Sequence, residues 1–164
     1  MNRGALLLGL LPLLLGADRA PHIPSAFRFE LDATPELHRL WETSSAAKAE
    51  RVACLAAVIE SDTVRISKVA PLESGRSDSL GISAEASLEH CGPPQWRGTV
   101  HTHIALQEGQ RPYSIFSGAD RGVMMLWWRR WNLDGVFCLL YSANEVICEI
   151  EGPEGAVIFP RSHY

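Results

Sequence analysis

Residues Trp96 to Ile104 read WRGTVHTHI, and the chain runs on through a polar loop to Ser117–Asp120, SGAD. A strand projects residues i and i+2 from one face, so His101 and His103 converge while Thr102 faces the opposite layer. From Ser117 a strongly apolar helix is expected to about Trp131, where Asn132-Leu133-Asp134-Gly135 supplies the stop. The C-terminal end of a strand and the N-terminus of the helix that follows are close in space by construction. Asp120 is therefore expected beside both imidazoles. Two imidazole nitrogens and a carboxylate oxygen suit zinc at about 2.0–2.2 Å, and three protein ligands leave one position open for water. That pattern points to a catalytic metal rather than a structural one, and to metal-assisted hydrolysis.

Working outward, Ala26 to Leu31 alternates as a short strand, and Thr34-Pro35-Glu36 reads as an N-cap, a first-turn proline and an early acid. The helix they open runs through Leu37, Leu40 and Trp41 towards Lys48. Val52 to Ile59 (VACLAAVI) is a continuous apolar run of strand length, and Thr63 to Val69 alternates as its antiparallel partner. A polar loop, Glu73 to Ser79, precedes a short helix over Ile82 to His90, closed by Cys91-Gly92-Pro93-Pro94. Beyond the metal helix, Val136–Tyr141 and Glu145–Glu151 form a hairpin. In it Val146, Cys148 and Ile150 share one face while Glu149 and Glu151 take the other. Gly155 to Pro160 offers a last strand. The pattern predicts an α/β (α+β) fold with a mixed central β-sheet flanked by helices.

At 164 residues, 46% hydrophobic and 21% charged, the chain suits a single globular domain with a sizeable core. Its formal net charge of -4 argues against a general nucleic-acid binder. Residues 1–20 are a possible signal peptide or leader: Arg3 precedes an almost pure Leu/Gly/Ala run too short to span a bilayer. Cleavage after Gly16 or Ala17 fits, and the lack of a nearby cysteine argues against a lipoprotein anchor. A wrongly chosen start codon or a helix packed on the domain fit equally well. Location is thus extracytoplasmic if the leader is exported and cytoplasmic otherwise, with no stable membrane anchor. The four cysteines, Cys54, Cys91, Cys138 and Cys148, have no C-x-x-C spacing. Cys54 is expected as a small core residue, and Cys138 and Cys148 flank the hairpin, where a disulfide would favour an oxidising compartment.

Glu50 stands just before the apolar Val52–Ile59 run, a natural sheet neighbour of the histidine strand. From there it could take a proton from water at the metal. It reads equally as a solvated helix-end residue in a charged patch with Lys48 and Arg51. Ser117-x-x-Asp120 has its own alternative as a capping box, in which serine and acid answer each other's backbone.

Taken together, Glu50, His101-Thr102-His103 and Ser117-x-x-Asp120 resemble the JAMM signature of the MPN/JAB-domain zinc metalloproteases. The resemblance covers the chain from about Phe27 to Ile150. It implies one MPN/JAB-like domain over 25–164 with cytidine-deaminase-like layers. It also implies a zinc peptidase or isopeptidase acting on a peptide or a ubiquitin-like protein. By that match His101, His103 and Asp120 hold one catalytic Zn2+, Glu50 is the general acid/base, and Ser117 hydrogen-bonds the oxyanion. The chain departs from the family in three places. Ile104 stands where proline usually follows the second histidine, and thirteen residues separate His103 from Ser117. The glycine usually found soon after the glutamate is replaced by Ala53 or Ala56. Ser114 lies at a more familiar distance, but only Ser117 completes S-x-x-D.

Two other classes fit parts of the pattern: a metal-free MPN-type scaffold that binds partners, and a zinc hydrolase of a small molecule. Among the remaining residues, Trp127 and Trp131 are expected to bury behind the metal helix, with Trp128 either in the core or at an interface. The loop Gln107 to Pro112 is expected to shape a substrate groove. His90 and Cys91 lack a fitting third ligand.

Overall fold

The histidine strand sits in the middle of the sheet. In the computed structural model, which describes residues 24–60, 62–72, 84–104, 114–153 and 155–164, this strand is β4 (Gly98–Thr102). The expected leader and the loops Glu73–Ser79 and Gln107–Pro112 lie outside the described residues. β4 is flanked by antiparallel β2 (Val52–Ile59) and parallel β5 (Gly135–Leu140). Beyond β2 come β3 (Thr63–Pro71), antiparallel, and then β1 (Ala26–Phe29), parallel to β3. Beyond β5 the hairpin partner β6 (Glu145–Gly152) pairs with both β7 (Gly155–Ile158) and the two-residue β8 (Ser162–His163). The order β1-β3-β2-β4-β5-β6-β7 is a mixed sheet, as expected, and β2 is the direct neighbour of the histidine strand.

Strand alternation divides the core into two layers. One face carries Ala53, Leu55, Val100, Val136, Cys138, Leu140, Val146, Cys148 and Ile150, and buries Leu37 and Leu40 of α1 (Thr34–Ala47). The other carries Phe137 and Leu139, covered by Leu88 of α2 (Ala84–His90) and Met124 and Trp127 of α3 (Gly118–Trp131). Trp127 is fully buried, and its indole N–H donates to the Cys91 carbonyl at 3.0 Å. Trp128 and Trp131 are half-buried against the same cluster. β4 can lie this close to β5 because its first residue is Gly98. Its φ is +152°, and a Cβ there would run into the Val136 carbonyl.

Three details differ from the sequence expectation. The N-cap of α1 is Ala33, with no side-chain cap; Ala33 is fully buried with αR torsions, so the helix begins one residue before Thr34 can cap it. The histidine strand ends at Thr102, although the His103 N–H still donates to the Leu140 carbonyl at 2.8 Å, so the ladder holds both histidines. Cys54 is more than a small core residue, because it is disulfide-bonded to Cys91 and ties β2 to the end of α2. No C-x-x-C spacing marks a pair 37 residues apart, and only the packing of α2 on β2 brings it together. Cys138 and Cys148 face each other in register across the β5–β6 hairpin and form the second disulfide.

Candidate metal centre

Backbone alternation turns His101 and His103 towards α3 and turns Thr102 towards α1. The Thr102 hydroxyl is buried in a short hydrogen-bond chain. The Arg51 N–H donates to it at 2.9 Å, it lies 2.5 Å from Ser44 Oγ, and Ser44 donates onward to the Ala49 carbonyl at 2.6 Å. With the Thr102 N–H on the Arg51 carbonyl at 3.0 Å, this chain pins the end of α1 and the entry to β2 against the strand between the two histidines. The sequence placed Thr102 in the opposite layer, but the two hydroxyl partners come from remote segments that no spacing reveals.

Asp120 enters from the first turn of α3, and Ser117 is that helix's N-cap. Ser117 Oγ accepts from the Asp120 N–H at 3.2 Å, while Asp120 Oδ2 accepts from the Ser117 N–H at 2.6 Å, a reciprocal capping box. The capping reading is therefore correct for this pair, and it is compatible with ligation. The box orients the carboxylate so that Oδ1 lies 3.3 Å from His101 Nε2 and Oδ2 lies 3.4 Å from His103 Nε2. The two Nε2 atoms are 3.3 Å apart. Burial alone would raise the Asp120 pKa, but hydrogen bonds with His101 and His103, and with Ser117, outweigh it and hold the carboxyl well below the usual carboxylate range.

Those distances test whether the residues fit an ion. A four-coordinate ion with bonds of about 2.0–2.1 Å needs ligand atoms about 3.3–3.4 Å apart, the tetrahedral edge. Each imidazole nitrogen lies at that spacing from the other and from one oxygen of Asp120, a different oxygen for each, and the side chains are 13%, 10% and 20% exposed. These residues could hold a metal ion; the set is the group of mutually close metal-ligating side chains found among the described residues. His90 and Cys91 form no part of it, and Cys91 is committed to its disulfide.

Glu50 is half-buried at the entry to β2 and is not among the mutually close donors, so it is not a ligand in this geometry. The β2–β4 register pairs Val52 with His101, and one step past Arg51 that ladder sets Glu50 across from His103 on the same face. The β4–β5 and β5–β6 registers extend the row through Tyr141 to Glu145. The backbone at Glu50 and that at Tyr141 thus continue the ladder on either side of His103.

Sequence reasoning missed two features beside the candidate ligands. Phe116 packs its ring 5.7 Å from that of His101. Arg121, next in the chain after Asp120, forms a bidentate pair with Glu149 at 2.9 and 3.1 Å and reaches Glu151 at 2.8 Å. Alternation had set both glutamates off the apolar face. That face is not solvent but the underside of α3, so Glu149 is only 2% exposed.

The fold and site together define a mixed α+β protein with a three-donor site capable of holding a metal. No family model matches the chain, and no curated protein matches it in sequence. Among solved structures it is similar in fold to protein DSY2949 from Desulfitobacterium hafniense, known from a solution structure. The TM-score is 0.51 at 11% identity over 82% of this chain and 91% of that one, a likeness of fold alone.

Proposed function

We infer that the chain is a zinc-dependent hydrolase of the MPN/JAB type, cleaving a peptide or isopeptide bond in a peptide or ubiquitin-like protein. The observation that carries this reading is the convergence of His101, His103 and Asp120, whose donor atoms all lie within 4.8 Å of one another, each imidazole 3.3–3.4 Å from a carboxylate oxygen. Two imidazole nitrogens and one carboxylate match zinc, whereas magnesium and calcium prefer oxygen-only sets. When bound, zinc supplies Lewis acidity, making water nucleophilic near neutrality and polarising the substrate carbonyl.

The chain's own residues divide the remaining work. Asp120 is held ionised and aimed by its capping box. Glu50, in register beside His103, takes the proton from the attacking water and hands it to the leaving amine. Ser117 accepts from the Asp120 N–H through a lone pair, so its hydroxyl hydrogen remains to turn towards the oxygen that gains charge. The layers expected of an MPN/JAB domain agree with a mixed sheet carrying α1 on one face and α2 and α3 on the other.

Glu50→Gln removes the base and leaves the three ligands in place. The expected result is full metal content with turnover lost, read by cleavage of a peptide library with a chelator control. Retained activity would take Glu50 out of the mechanism. Absence of cleavage in zinc-loaded wild type would favour a scaffold that binds partners.

A further inference from the structure

The three candidate ligands come from two pieces of the fold, and one covalent bond ties those pieces together. His101 belongs to the sheet, where β4 pairs with β2. Val52 stands opposite His101, and Cys54 stands opposite Thr99, two residues back on the same face. Asp120 belongs to α3, whose inward face repeats at helical spacing as Asp120, Met124, Trp127 and Trp131. Two turns beyond Asp120 that face rests on Cys91 and Gly92. The fully buried Trp127 donates its indole N–H to the Cys91 carbonyl at 3.0 Å. The Trp131 indole lies so close over Gly92 that any Cβ there would strike it. Cys91 is in turn bonded to Cys54, so the seat of α3 is fastened to the strand beside the histidines. A second anchor of α3 is Arg121, held by Glu149 and Glu151 at the helix's first turn.

We propose that the Cys54–Cys91 disulfide, acting through Trp127, is a positioning element of the metal centre that sets α3 against β4 so that Asp120 meets His101 and His103. The inference rests on the metal-centre reading above and says which bond of this chain keeps the site in shape. Two anchors fix the axis of a helix, and one leaves it free to tilt. With the Cys91 anchor loosened, α3 turns about the Arg121 clamp. Asp120, next to that pivot, then swings its carboxylate relative to the imidazoles. Metal ligands tolerate about 0.2 Å of displacement, so a small tilt weakens binding. The other disulfide supplies an internal comparison. Cys138 and Cys148 lie on the opposite face of the sheet, in the core layer that buries α1, and no part of this tie passes through them.

Cobalt(II) is the probe, because its visible spectrum reports coordination geometry as well as occupancy. The full chain carrying Cys54→Ala and Cys91→Ala is expected to bind cobalt(II) about tenfold more weakly than wild type, with an altered spectrum of the bound ion. Alanine at both positions leaves no thiol to compete for the metal. The chain carrying Cys138→Ala and Cys148→Ala also loses one disulfide, yet is expected to keep the wild-type affinity and spectrum. Trp127→Phe keeps both disulfides and cuts the tie at its next link. It is expected to shift affinity and spectrum in the same direction, and it decides the question if the first variant does not fold. Wild-type affinity and spectrum without the Cys54–Cys91 bond, or in Trp127→Phe where that variant decides, would overturn the proposal. So would an equal loss in the two double variants, which would reduce the effect to general stability. A wild type that binds no cobalt(II) is a different result, and contradicts the metal-centre reading itself.

Discussion

Ser117 shows how one residue can satisfy two patterns. S-x-x-D is both a capping box and the tail of the JAMM-like signature, and the geometry explains why the two coincide. A carboxylate that accepts from the N-cap N–H is locked at the helix start, where a strand-end histidine pair can meet it. Ser117→Ala is therefore expected to cost about 1 kcal/mol through loss of the cap. The Ser117 N–H remains to hold Asp120, so metal is retained. Denaturant unfolding and metal content measured on one preparation check both halves. Loss of the metal with no loss of stability would mean that the hydroxyl positions the ligand and caps nothing. At this scale the sequence was highly legible, because strand alternation and a four-residue box are local rules. Glu50 was legible by type and place, but its alignment with His103 depends on a register set by Gly98 and by the Thr102–Ser44 contact.

The metal helix is where tertiary structure overrode pattern. α3 carries the candidate ligand Asp120 in its first turn, and the next residue clamps the helix to β6 through Glu149 and Glu151. Nothing in an alternating strand such as EVICEIEG tells which face meets solvent and which lies under a helix. The clamp was invisible for that reason. Glu149 is nearly inaccessible while Arg121 is 43% exposed, so the pair is half-screened. Arg121→Ala leaves a buried carboxylate without its partner, and is expected to destabilise the fold by about 2 kcal/mol. It is also expected to weaken metal affinity, by loosening the turn that carries Asp120. Isothermal titration with zinc and denaturant unfolding measure the two effects. Unchanged affinity in a destabilised variant would limit the clamp to fold stability. β8, with only two residues, offered no period to read.

Across the whole molecule the mixed sheet, its helical layers and the central place of the histidine strand follow from run lengths and alternation. The Cys138–Cys148 disulfide is suggested by its place across the hairpin, whereas the Cys54–Cys91 disulfide does not follow, since the two meet only after β2 and α2 are stacked. Closing a loop of that length stabilises a fold by about 3–4 kcal/mol in the chain-entropy view. The link also fastens β2 beneath the helical layer that α3 shares, through the Trp127 bond to Cys91. The same framework holds His101, His103 and Asp120 together, and the central claim concerns that group. Elemental analysis of purified full-length protein, alongside His103→Ala, tests it most directly. The account predicts about one zinc per chain in the wild type and loss of that zinc in the variant, with the fold retained. Wild-type protein that binds no divalent metal, or a His103→Ala variant that binds it undiminished, would contradict the account.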